Sequence, residues 1–490
     1  MNSVKQKIAT LLWHNRTLGQ TVLKNTFWLF SGQAVSRLIK LALIIYAARI
    51  LGAAGYGSFA YALAFVSLAF IFSDLGVLGL LMREYNKLKV DKMKLVANTF
   101  YIKTALLIAS VLLTLGLSIF VQDPTAKAVL IFIVFMYLVS GVRDFFISIA
   151  RAKERMEIES AVTITESTLT ALLGFWFLFN FASAQALSVA YLLGAGGSLL
   201  LSIGLTFRFI PKFFQRPDLT YIKKILSLAW PFALGFVVAA ILTSTDTVML
   251  GFIKTPEIVG QYSVGVRVIQ VLLIIPALFS VALLPSLSRF IEDKKRLLDI
   301  TKKALSYIMM LGVPLLLGGV LTAPQLIPKI FGIQYELGIL SFQILLLLMI
   351  IIFPVIIFDY ILLALNLQVK NLQYTVIAAT ANIFLNLLLI PLYSLYGAAL
   401  ATVLAQGINL ALTTNLIKKT LGDTGFQLQP LVKFILASML MAGFIWLTFL
   451  VHLSLWFIIP SAVTLYFILL YLMHEKTLLD GLAILKTRNR

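Results

Sequence analysis

Fourteen stretches of this chain are each long and apolar enough to cross a bilayer, and no other feature of the sequence limits the fold as strongly. A spanning helix needs about 20 mostly apolar residues. Such runs fall at 25–51, 56–82, 96–121, 127–150, 159–181, 184–209, 225–253, 259–287, 304–322, 337–365, 372–391, 396–417, 431–451 and 455–474. They are continuous rather than alternating with a period of two, which excludes a β-barrel. Only 12% of residues are charged, against about 25% in a soluble domain. The sequence therefore predicts an all-α polytopic membrane protein. Two stretches fit less well. The first run carries Arg37 and Lys40, and 323–336, with Pro324 and Pro328 ahead of Phe331 and Gly332, reads as a short interfacial helix.

The charge imbalance tests that count. The chain has 40 Lys and Arg against 20 Asp and Glu, a net charge of +20. Loops 1–24, 83–95, 151–158, 208–224, 289–303, 366–371, 418–433 and 474–490 hold 31 of the basic residues. The alternate loops hold 3, namely Lys127, Lys254 and Lys329. One helix too many or too few would have mixed the two sets. Cytoplasmic loops collect Lys and Arg, so both termini are expected in the cytoplasm, with the protein in the plasma membrane. The excess is then a topology signal that needs no nucleic-acid partner, and it faces anionic headgroups of the membrane lipids. Residues 1–24 lack an apolar core long enough for a cleaved signal peptide and read as a basic amphipathic lead-in.

Several chemistries are excluded. No extramembrane segment is longer than about 25 residues, and no GxxxxGK[ST] phosphate loop is present. There is no Cys, and His14, His452 and His474 are too far apart in sequence to form a helical metal pair. Gly194–Gly197 lies inside a span, where small residues permit close helix packing. No catalytic residue, cofactor or metal site is expected; the chain reads as a transporter rather than an enzyme.

Its organisation suggests a duplication. Leu51-Gly52 with Gly57-x-Phe59 follows the first run, and Leu250-Gly251 with Gly260-x-Tyr262 follows the seventh. Ala186–Val189 and Ala399–Val403 open the sixth and twelfth runs similarly. The expected plan is a lead-in (1–24), a six-helix lobe (25–209), a cytoplasmic linker (210–224), a second six-helix lobe (225–417), two accessory helices (431–474) and a cytoplasmic tail (475–490). Parallel repeats of this kind build transporters with the site between the halves.

Ionisable groups in a bilayer are costly, so they face partners or wet cavities. Gln33, Arg37 and Lys40 share one face of the first run, and Ser263, Arg267 and Gln270 repeat that spacing in the eighth. A cationic cavity for a phosphate or diphosphate is one reading, because Arg offers a planar fork of donors. Structural pairing, for instance of Arg267 with Asp246, is the other. Asp74, Asp144, Glu166, Asp246 and Asp359 are the acidic members, either an ion-coupling set or a structural network with Lys103 and Arg143. Arg143 and Asp144 are adjacent, so they leave a helix about 100° apart and need not pair. Pro231, Pro276, Pro314 and Pro354 stand in or near runs where they can kink helices.

Ordered motifs then carry a resemblance. RILGAAGYGSFAY (49–61), SDLGV (73–77) with Arg83-Glu84, DTVMLG (246–251) and GQYS (260–263) are followed by PSLSR (285–289), LLALN (362–366), NIFLNLLLIP (382–391) and YGAALAT (396–402). In this order they resemble the polysaccharide transporter branch of the MOP (multidrug/oligosaccharidyl-lipid/polysaccharide) exporter superfamily. The resemblance implies a MATE-like fold and a Wzx-like flippase carrying polyprenyl-diphosphate-linked oligosaccharides by alternating access, in company with other polysaccharide-assembly proteins. It implies Arg37, Lys40 and Arg267 as the residues meeting the diphosphate. The competing expectations are a cation-coupled multidrug exporter, disfavoured by mid-membrane Arg and Lys, and a non-transporting scaffold of an envelope-synthesis complex.

The topology is directly measurable because the chain has no Cys. A single cysteine replacing Glu292 is expected to react with impermeant maleimide only from the cytoplasmic side, and one replacing Thr255 only from outside.

Overall fold

The structure, a computed structural model, describes residues 18–87, 91–209 and 216–488. Among the described residues all regular structure is helical, and twelve helices are long and apolar enough to cross a membrane. Two of these are far too long for one crossing: 24–73 has 50 residues and 368–421 has 54. Fifty-four residues would run about 80 Å, against a hydrocarbon core of about 30 Å. Each breaks once, at Gly52 (φ 67°, ψ 179°) and at Ser394 (φ 54°, ψ −130°). The breaks fall between the paired hydropathy runs, so twelve continuous helices make fourteen spans.

In chain order the α-helices of the first part are α1 (Leu18–Ala69), α2 (Val77–Glu84), α3 (Lys92–Leu117), α4 (Pro124–Ala152), α5 (Met156–Phe181), α6 (Ala184–Thr206) and α7 (Leu219–Ile253). Then follow α8 (Pro256–Leu272), α9 (Ile274–Arg289), α10 (Lys294–Phe331), α11 (Gly338–Leu345), α12 (Leu348–Ala364), α13 (Gln368–Leu421), α14 (Leu428–Leu450), α15 (Leu455–Leu472) and α16 (Lys476–Arg488). Lipid offers no hydrogen bonds, so each backbone group must be satisfied by the chain itself. Helix starts show how the sequence does this. Asp91, Asp123, Ser183, Asp218 and Asp293 each accept bonds from the first-turn N–H groups of the helix that follows, replacing the partners those donors lack. Asp218 also receives the Lys94 ammonium at 2.6 Å, which, with the Tyr221 N–H, holds its carboxyl below the usual carboxylate range.

Several spans depart from the hydropathy boundaries, the tenth by a break between α11 and α12. The second stops as an α-helix at Ala69, makes one 3-10 turn (Phe70–Ser73) and restarts at Val77 after Leu75 (φ 43°) and Gly76 (φ 76°). The eighth is interrupted at Leu273 between α8 and α9, since Pro276 has no N–H for the Leu272 carbonyl. The expected interfacial helix at 323–336 is instead largely the end of α10, which continues to Phe331 with Pro314, Pro324 and Pro328 inside it. The reason lies outside that helix. Pro314 strands the Met310 carbonyl, and the Tyr466 hydroxyl donates to it at 2.7 Å. Pro324 strands the Val320 carbonyl, and Gln343 Nε2 donates to it at 2.8 Å. With those two acceptors satisfied, α10 continues to its C-cap at Gly332 (φ 113°).

Two compact units result, Met1–Gly260 and Gln261–Arg490. In the first, α7 joins the core through Ile225 and Ala229, which cluster with Val77, Leu80, Phe145 and Ile149. Gly194 and Gly197 of α6 lie so close to Thr170 and Leu169 of α5 that a Cβ would clash; the small-residue run is packing. The repeat glycines meet as well: a Cβ on Gly57 would strike the Pro256 carbonyl, and one on Gly260 the Ala53 carbonyl. Lys24, counted with the basic lead-in, is instead buried inside α1; residues 1–17 lie outside the described residues. In the second unit α14 and α15 dock on α10, with Met441 and Ile445 against Gly318 and Tyr466 bonded as above.

The two capping side chains set a measurable cost. Tyr466→Phe and Gln343→Leu each leave a buried carbonyl unsatisfied and are expected to lose about 1–2 kcal/mol, read as a lowered melting temperature in detergent. Tyr393→Phe, at an exposed position, is the control that leaves it unchanged.

Candidate functional site

Three sets of ion pairs stand out in the first unit. Near the start of α1, Lys24 Nζ lies 3.1 Å from Glu157 Oε2, with side chains 1% and 5% exposed. Arg155 donates to the other Glu157 oxygen at 2.8 Å, and Arg151 pairs with Glu159. Where α1 is joined to the second span's break, Lys103, 4% exposed, reaches Asp74 at 3.4 Å. The third set is the open one. Lys40 Nζ is 3.1 Å from Glu166 Oε1, and Arg143 Nη1 bonds Glu166 Oε2. Arg143 also donates through Nε and Nη2 to Asp144 Oδ1, at 3.1 and 2.8 Å.

Each set is placed by helix geometry. Glu166 on α5 faces α1 and α4, so a carboxylate on one helix collects cations from two others. Pairs of this kind are held for the cost of breaking them, since a lone buried charge is far worse than a paired one. The adjacent Arg143 and Asp144 do pair although neighbours on a helix diverge, because the long Arg side chain reaches Asp144 through Nε and Nη2 while Nη1 meets Glu166.

The remaining candidates are distributed. Gln33 and Arg37 are exposed on α1, on the same stripe as Lys40. Asp246 is buried on α7. In the second unit Arg267 Nη1 donates to Gln270 Oε1 at 2.9 Å, so these two residues of the shared face meet. Asp359 accepts from Asn371 Nδ2 at 2.8 Å. Of the five acidic candidates, Asp74, Asp144 and Glu166 are thus engaged by cations. Among the described residues no cluster of His, Asp and Glu has metal-ligating geometry.

The sequence placed Arg143 in a charge network with Asp74, Lys103, Asp144 and Glu166 without singling it out as a substrate-binding residue, and it did not point to the set of Lys24, Glu157 and Glu159. Glu166 lies 23 residues from Arg143 and 126 from Lys40, separations that no periodicity connects. The one available signal was that Arg143 and Glu166 lie at similar depth, each seven residues from an end of its run (127–150 and 159–181).

Lys103→Met is expected to destabilise the protein by about 3 kcal/mol by stranding Asp74. Lys103→Met with Asp74→Leu should recover most of the melting temperature in detergent, because no uncompensated charge remains.

Comparison with known proteins follows this geometry. The profile of a family described as "Polysaccharide biosynthesis protein" matches residues 22–291. The chain is 27% identical over 179 residues to the "Probable flippase AglR" of Haloferax volcanii, covering 36% of this chain and 37% of that protein, so the match spans well under half of the relative. Its fold is similar to that of "Lipid II flippase MurJ, inward closed conformation", with a TM-score of 0.76 at 18% identity, covering 91% of this chain and 99% of that one. It is also similar to an inward-facing "multidrug resistance MATE family transporter of the MOP superfamily", with a TM-score of 0.62 at 14% identity, covering 79% and 94%. These likenesses establish the MATE-like fold.

Proposed function

Because the chain belongs to the polysaccharide biosynthesis protein family, we propose that it is a flippase moving a polyprenyl-diphosphate-linked oligosaccharide across the plasma membrane. The carrying observation is the exposed cationic stripe of α1: Arg37, with Lys40 one turn on and Gln33 one turn before. A cation in a span is costly unless something anionic offsets it. Glu166 offsets Lys40, and Arg37 on the same stripe is exposed, with a guanidinium fork suited to a phosphate. The diphosphate is the part of such a substrate that this stripe fits. Its glycan needs a wet path, and its polyprenyl tail can stay in lipid throughout.

Transport would proceed by alternating access, with lobes 25–209 and 225–417 opening the site to each side in turn. Arg267 and Gln270 would supply a second contact for the diphosphate. Asp74 has a structural role in this reading, tied to Lys103; Asp246 and Asp359 are the candidates for ion coupling. Both termini would lie in the cytoplasm, where the substrate is assembled and where other polysaccharide-assembly proteins would hand it over.

Vesicles containing the purified protein and a diphosphate-linked glycolipid provide the test. The wild type should translocate the glycolipid, and Arg37→Ala with Lys40→Ala should slow it by at least about tenfold. No transport by the wild type, or full transport by the double variant, overturns the assignment. Drug resistance conferred on a sensitised host, without glycolipid transport, would favour the multidrug reading.

A further inference from the structure

We infer that Glu166 is a resident anion occupying the place of the substrate's diphosphate in the unloaded protein, and that Arg143 is a substrate-binding cation uncovered when Glu166 moves aside. The inference rests on the flippase reading above and deepens it.

The geometry at Glu166 is that of an occupied anion site. Both carboxylate oxygens are taken, Oε1 by an ammonium on α1 and Oε2 by a guanidinium on α4. An ammonium and a guanidinium converging from two helices form a pair suited to phosphate oxygens. The site also differs from the structural pairs nearby. Lys24 and Lys103 are 1% and 4% exposed and closed to any ligand. Lys40 is 32% exposed, and Asp144 on the far edge of Arg143 is 47% exposed. The exposed Arg37 stands one turn from Lys40 on the same helix.

Charge decides what this arrangement does. Lys40 and Arg143 against Glu166 and Asp144 cancel, which leaves these four groups with little attraction for an anion beyond that of Arg37 on the same stripe. The helix that packs along α5, α6, carries no Asp, Glu, Lys, Arg or His to alter that balance. A diphosphate diester brings two negative charges where Glu166 brings one, so it can displace Glu166 from Lys40 and Arg143. Once displaced, Glu166 remains beside the site and competes for the same cations. Loading and release then become an exchange of anions, and the site avoids the permanent trapping that an uncompensated pair of cations would cause.

The test is binding of a short-chain prenyl-diphosphate-linked N-acetylglucosamine to the purified full chain, with translocation followed in parallel. Glu166→Gln keeps the shape and removes the competing charge, so it should tighten binding by about tenfold and slow translocation through delayed release. Arg143→Gln with Glu166→Gln keeps the set neutral; it should lose that gain and bind no tighter than wild type. Unchanged or weaker binding by a folded Glu166→Gln variant overturns the inference, as does retention of the full gain by the double variant. Either result can arise while the wild type still transports the glycolipid, so failure here is distinct from failure of the flippase assignment.

Discussion

Hydrocarbon offers nothing to hydrogen-bond, and the whole architecture follows from that single deficiency. Helices meet it along their length, so the difficult places are starts, breaks and prolines. Starts are met locally by Asp91, Asp123, Ser183, Asp218 and Asp293. Prolines are met at a distance. Tyr466 and Gln343, on α15 and α11, supply donors to the Met310 and Val320 carbonyls that Pro314 and Pro324 cannot reach. Those two bonds let one helix run from Lys294 to Phe331, and they also fix where α11 and α15 sit against it.

The same deficiency governs charge. An ion in a span must find a counter-ion, and the first unit answers three times with graded exposure. Lys24 with Glu157 is closed, Lys103 with Asp74 nearly so, and Lys40 with Glu166 and Arg143 is open. The closed pairs hold helices together; in the proposed exchange the open set supplies the group that changes partner, and the exposure of Lys40 is what sets it apart from Lys24 and Lys103.

Much of this was legible in the residues. Hydropathy located fourteen spans, and the two helices that run past a single crossing break at Gly52 and Ser394, between the paired runs. The glycine run at 194–197 was legible as packing, because small residues in a span have few other uses. The end of α10 was misread since Pro324 and Pro328 look like terminators in isolation, and Gln343 is invisible from their position. Arg143 was legible as a member of a charge network, but its contact with Glu166 on another helix was not.

The sequence by itself determined the class of the molecule, its number of crossings and the contrast between its basic and bare loops. These depend on the solvation of each residue in turn, a property that residues carry with them. Only the tertiary structure decided which charges neutralise one another, which stranded carbonyls are satisfied and which cations stay accessible. Those outcomes depend on distances between helices far apart in the chain, and an electrostatic or hydrogen-bonding partner is defined by such distances alone.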